Sequence, residues 1–205
     1  MSDTLENIMA RASAARSAAP DIQLPEPVPV APVENLVARF GQELERLCAE
    51  LLITDDLKQA ASVLVQITGG AAAEERLWFI ADRELAVEMG QYLPVQVATM
   101  FQMSDCLASV LEADVAIADT GTVGVTLDVR QPRSSYLLPE ICIVLARRQD
   151  LQPTLMDALL QLEQRPKLPT AFVFVTGPSR TADIEKTVVI PAHGPKRLIV
   201  VLYGQ

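Results

Sequence analysis

The chain has 205 residues, 26 of them acidic and 17 basic, with one His, three Cys and half of its residues hydrophobic. That balance excludes wholesale disorder and suits one domain, or one domain with a tail. The net charge of −9 argues against nucleic-acid binding, which needs clustered Lys and Arg; one Trp, three Tyr and five Phe are also few for a base-stacking surface. No apolar run approaches the roughly eighteen residues of a membrane helix. Met1–Asp3 opens without a basic segment followed by an apolar one, so the expectation is no secretory signal and a cytoplasmic compartment.

Residues 4–19 predict a short Ala-rich helix, and 20–32 hold five prolines in an extended, flexible linker. Residues 1–32 thus read as a tail and 33–205 as a single domain. From Val33, helical spacing puts Leu36, Val37, Phe40, Leu44, Leu47 and Leu51 on one face. Thr54-Asp55-Asp56 starts a second helix, ending at Gly69-Gly70. A strand follows over 76–81, a short helix over 84–90, an ambiguous apolar stretch over 96–101 and another short helix over 105–112.

The second half predicts strands over 114–118, 123–129 and 141–146. A helix over 153–164 carries Thr154 and Asp157 in capping positions and Leu155, Leu159, Leu160 and Leu162 mostly on one face. TAFVFV (170–175) and LIVVLY (198–203) are continuous apolar runs, as in strands covered on both faces. The fold class is therefore α/β.

Cys48, Cys106 and Cys142 stand far apart in sequence. An iron–sulfur cluster or a structural zinc site needs about four ligands, which would require all three and His193 to converge. No metal site is assigned. Two strands run into polar loops: VAIA into Asp119-Thr120-Gly121-Thr122, and FVFV into a loop from Thr176 to Glu185. If the two strands are parallel, both loops lie at the end of the sheet where ligands bind in α/β folds. The second loop reads as a strand-to-helix turn with Ser179 or Thr181 capping. Arg133 and Arg180 suit a carboxylate or phosphate. His193-Gly194-Pro195 reaches this site only if the last strand runs antiparallel to the other two.

These residues resemble the LUD domain: Ala118-Asp119-Thr120-Gly121-Thr122, Arg133-Ser134, Leu138-Pro139, GPSRTADIE (177–185) and His193-Gly194-Pro195. Within it, the chain is similar to the lactate-utilisation protein C family. The resemblance implies a Rossmann-like three-layer α/β/α fold of the sugar-phosphate isomerase and CoA-transferase type, with a mostly parallel sheet and a last strand that could be antiparallel. It further implies ligand-binding roles for Asp119, Thr120, Gly121, Thr122, Arg133, Ser134, Gly177, Ser179, Arg180, Thr181, Asp183, Glu185 and His193, with no residue assigned as catalytic. Asp119 departs from the Glu usual in the family, and Cys142 stands near where a His often does.

The function so implied is in oxidation of L-lactate to pyruvate. The chain is expected to bind a small anionic ligand and no cofactor, beside partner subunits that hold the iron–sulfur clusters. Independent enzyme activity is not expected. The alternative is a stand-alone enzyme on a phosphorylated or CoA-linked carboxylate, with Asp119 or Glu185 as nucleophile or base.

Overall fold

The computed structural model describes residues 2–17, 34–68, 77–81, 83–93, 96–129, 131–165, 169, 171–179, 181–182, 188–189 and 194–204. The chain divides into two compact units, Met1–Pro32 and Val33–Gln205. In the first, α1 (Ser2–Ser17) is the described element. The expected linker over 20–32 lies outside the described residues.

The second unit opens with α2 (Leu36–Arg46), where the Asn35 side chain accepts a hydrogen bond from the Ala38 amide at 3.0 Å and Phe40 and Leu44 are fully buried. The expected continuation to Leu51 does not occur. Cys48 adopts φ 57, the Cys48 amide donates to the Glu45 carbonyl and the Ala49 amide to the Leu44 carbonyl. This paired closure ends the helix. The chain then enters β1 (Glu50–Thr54), a strand that helical spacing had hidden.

Asp56, rather than Thr54, caps α3 (Leu57–Ile67), accepting from the Gln59 amide at 2.7 Å. Next come β2 (Leu77–Ile80), α4 (Arg83–Gly90) and β3 (Gln96–Val97), then a 3-10 turn over Met100–Asp105. The helix expected over 105–112 is instead β4 (Ala108–Glu112), whose first four residues are buried. The remaining strands are β5 (Val115–Ile117), β6 (Thr122–Leu127), β7 (Ile141–Arg147), β8 (Leu151–Gln152), β9 (Ala171–Val175), β10 (Thr181–Ala182), β11 (Val188–Val189) and β12 (Arg197–Tyr203). Between them lie α5 (Ser134–Leu137) and α6 (Leu155–Glu163), the latter with the expected Thr154–Asp157 capping box.

A six-stranded parallel sheet, ordered β1-β12-β7-β4-β2-β3, forms the centre. The last strand, which could have been the antiparallel exception, is parallel to both its neighbours, Ile199 standing between Glu50 and Ile143. One face packs Trp78, Ile80, Val110, Ile143, Leu145, Ile199 and Val201 against α3 and α4. The other packs Phe79, Leu111, Cys142, Val144, Leu198 and Val200 against α2 and a second sheet. This is a Rossmann-like α/β plan in which part of one covering layer is itself β.

The second sheet, ordered β8-β5-β6-β9, gathers the loop-bearing strands. β5 and β9 are not neighbours: each pairs antiparallel with β6 and so both run the same way. Neither belongs to the central sheet. β9 is half-buried at the edge rather than covered on both faces. α6 covers the outer side through Ala158 and Leu162, against Val115 and Ile117. Its buried stripe is narrower than the leucine spacing suggested, leaving Leu155, Leu159 and Leu160 exposed.

Candidate functional site

β5 turns into β6 through Ala118–Gly121, a hairpin anchored on the end of β8 by the Ala118 amide to the Gln152 carbonyl (2.8 Å) and the Asp119 amide to the Pro153 carbonyl (3.2 Å). Gly121 has φ 63, and a Cβ there would fall 3.0 Å from the Glu43 carbonyl carbon and the Leu44 nitrogen. The close approach this glycine permits is therefore to the backbone of α2. Gly177, at φ 86, meets the same helix end, where a Cβ would fall 3.3 Å from Leu47.

Because β5 and β9 run the same way, their carboxyl ends meet. Thr120 donates to Thr122 through their hydroxyls at 2.8 Å, and the Thr122 and Thr176 hydroxyls lie 2.8 Å apart. Three hydroxyls thus form one chain across both loops. Thr122 is buried, whereas Thr120 and Thr176 are exposed. Asp119 is half-buried, and its Oδ1 is buried with no hydrogen-bond partner among the described residues.

The loop before β12 also arrives here, by a route the sequence did not suggest. The Ser179 amide donates to the Pro195 carbonyl at 3.0 Å, and Gly194 (φ 97) lies so close to Ser179 that a Cβ would sit 2.6 Å from its Oγ. For Gly194 and Pro195 the strand reversal once required is supplied between sheets: the carboxyl end of β9 lies over the amino end of β12. A cavity of about 220 Å³ opens where these segments meet, lined by Tyr136, Val173, Thr176, Gly177, Ser179 and Pro195 among others.

Of the residues singled out from sequence, Thr120, Thr122, Gly177 and Ser179 are gathered at or beside this cavity. Arg133 is exposed and Ser134 half-buried at the start of α5, which sends Tyr136 and Leu137, not these two, into the lining. Thr181 belongs to β10, paired with Val189 of β11. The GPSRTADIE loop therefore leads into a strand pair at Thr181–Ala182 rather than the expected helix start, and among the described residues no helix begins at Ser179 or Thr181. Arg180, Asp183, Glu185 and His193 lie outside the described residues. Thr176 and Tyr136 had been given no role. Thr176 could have been found as the first polar residue after FVFV, whereas nothing local marks Tyr136.

The three cysteines do not converge. Cys106 and Cys142 are buried, which pushes their thiols up to about 11 and about 12; the charge of Asp105 adds to the first. Cys48 is exposed. Among the described residues no group of three or more His, Cys, Asp or Glu side chains is placed to hold a metal ion. No helix among them is long and apolar enough to cross a membrane.

Residues 95–203, more than half of the chain, match the LUD domain. Curated relatives include "Lactate utilization protein C" of Macrococcus caseolyticus, 36% identical over 87 residues that make up 40% of this chain and 38% of that protein. The protein of the same name from Bacillus pumilus is 32% identical over 98 residues, 46% of this chain and 41% of the relative. The chain thus spans about two fifths of the length of the relatives it matches. Among solved structures, a DUF162 family protein from Deinococcus radiodurans superposes with a TM-score of 0.58 at 18% identity, covering 82% of this chain and 96% of that one, a likeness of fold.

Proposed function

Because the chain belongs to the LUD domain family, we propose that it serves in L-lactate utilisation, as a subunit that binds a small anionic metabolite while iron–sulfur partner subunits carry the electrons from lactate to acceptor. The observation carrying this reading is the match to relatives named for lactate utilization, taken with the family match over residues 95–203, which include the lining of the loop cavity. In this reading Thr176 and Ser179 offer hydroxyls to the ligand, and Arg133 and Arg180 supply the positive charge a carboxylate calls for. The chain itself holds the ligand and performs no redox step, and it works in the cytoplasm.

Deleting the gene tests this. The expected result is loss of growth on L-lactate as sole carbon source and of lactate-dependent dye reduction in extracts, both restored by the parent gene. Unchanged growth and dye reduction would overturn it.

One observation favours a second reading, that of a stand-alone enzyme on a phosphorylated or CoA-linked carboxylate. The Oδ1 of Asp119 is buried without a hydrogen-bond partner among the described residues, and a carboxylate oxygen so placed can act as a base. Turnover of such a substrate by the purified chain, abolished by Asp119→Ala, would favour this reading over the first.

A further inference from the structure

α6 carries more apolar surface than its own fold covers. Of its nine residues, LMDALLQLE, only Ala158 and Leu162 are buried, against Val115 and Ile117 of β5. Leu155, Met156, Leu159 and Leu160 are 44%, 56%, 44% and 49% exposed. At 3.6 residues per turn these four share one arc of about 140° on the helix. Glu163, exposed in the last turn, falls on the same arc.

The remaining polar side chains of α6 lie outside that arc and are engaged elsewhere. Asp157 accepts from the Thr154 hydroxyl at 2.6 Å and from the Thr154 amide at 3.2 Å. Gln161 donates to Asp150 at 3.3 Å. Apolar side chains exposed singly are ordinary, but four neighbours on two turns of one helix form a patch of the kind on which another chain packs.

Size and charge narrow that chain. Four half-exposed side chains leave roughly 300 Å² of apolar surface. A standard interface takes about 800 Å² from each partner, of which roughly 450 Å² is apolar. The patch supplies about two thirds of that apolar area, which suits a reversible contact rather than a permanent one. The charges on the face are self-complementary along the helix. The first turn of α6 presents amides that have no intrahelical acceptor, at the positive end of the helix dipole. Glu163 stands at the opposite end, two turns away, with Leu159 midway between it and Leu155. An antiparallel copy of the same helix sets each carboxylate against the other's first turn. Asp157, the acid already in that turn, lies across the helix from Leu155 and faces Thr154.

We propose that two copies of this chain pair through this face, α6 against α6 about a two-fold axis beside Leu159, with the Glu163 of each copy at the first turn of α6 in the other. The pair is isologous, so it closes at two copies and buries all four apolar side chains of both. No residue of α6 lines the loop cavity, so the pairing and the ligand reading stand independently.

Sedimentation of the full chain over about a hundredfold range of concentration tests the pairing. The expected result is a mass that climbs from 22.3 kDa toward twice that value as concentration rises. Leu159→Glu, at the axis, should raise the dissociation constant at least tenfold, and Glu163→Lys about threefold or more. Val87→Glu, on an exposed apolar residue of α4 on the other side of the central sheet, should associate as the parent does. If Leu159→Glu does not fold, judged by circular dichroism, Met156→Lys, at the most exposed of the four, gives the same reading. A monomer at every concentration would overturn the assignment and leave the face to a different chain. Equal weakening by Val87→Glu, or parent-like association of Leu159→Glu or Glu163→Lys, would overturn it as well.

Discussion

Thr122 and Thr176 stand 54 positions apart in sequence and touch through their hydroxyls at 2.8 Å. The contact ties the hairpin after β5 to the loop after β9, and Thr120 extends it by one more hydroxyl. Replacing the buried middle member, Thr122→Val, should cost about 1 kcal/mol. The double variant with Thr176→Val should lose less than the two single losses combined, by about 0.5 kcal/mol or more. Urea denaturation of the four proteins measures this, and strict additivity would mean the two hydroxyls are not coupled.

Gly121 and Gly90 make a matched pair for a second test. An alanine at 121 would adopt a left-handed backbone and press on Glu43 and Leu44, whereas nothing lies within 4 Å of a Cβ at Gly90. Gly121→Ala should lose about 2 kcal/mol, and Gly90→Ala should stay within about 0.5 kcal/mol of the parent or gain slightly. Denaturation midpoints decide it; equal effects would remove α2 as the support of the hairpin.

Cys48 holds the left-handed position that closes α2, a place where glycine is favoured because it has no Cβ to crowd the carbonyl. Cys48→Gly should therefore raise stability by about 1 kcal/mol, or about 3 °C in Tm for a domain of this size. A fall in Tm would show that the thiol makes contacts worth more than the backbone relief.

Thiol chemistry should separate the three cysteines by burial. At about pH 8 the exposed Cys48 should react with a disulfide reagent in the folded protein. Cys106 and Cys142, with thiols raised to about 11 and about 12, should stay silent until urea exposes them. Mass spectrometry of the labelled peptides identifies each site; fast labelling of Cys142 would contradict its place inside the sheet.

Local signals were readable wherever local physics decides the outcome. The Thr154–Asp157 capping box and the unbroken apolar runs of β7 and β12 are self-contained, and each was legible. β1 was hidden because a cysteine, not the usual glycine, closes α2, so leucine spacing ran past the true end of the helix. Residues 105–112 hold Leu, Ala and Glu, good helix formers, and only burial between two strands of the central sheet makes β4 of them. The loop motifs marked a region without its geometry. That Thr122 meets Thr176, or that Arg165 meets Asp114 at 2.7 Å, depends on strands assembled from distant segments. The division into two sheets was out of reach for the same reason, since it follows from antiparallel pairing of β6 with both β5 and β9.

The support that α2 and β1 give to the loops bears on how the gene can be cut. Family likeness begins at residue 95, yet Gly121 rests on Glu43 and Leu44, Gly177 on Leu47, and β1 flanks β12 from Glu50 to Thr54. A fragment trimmed to the region of likeness would turn an inner strand into a raw edge and leave both loops without their buttress. The shortest piece worth expressing starts near residue 33, well upstream of where kinship becomes visible.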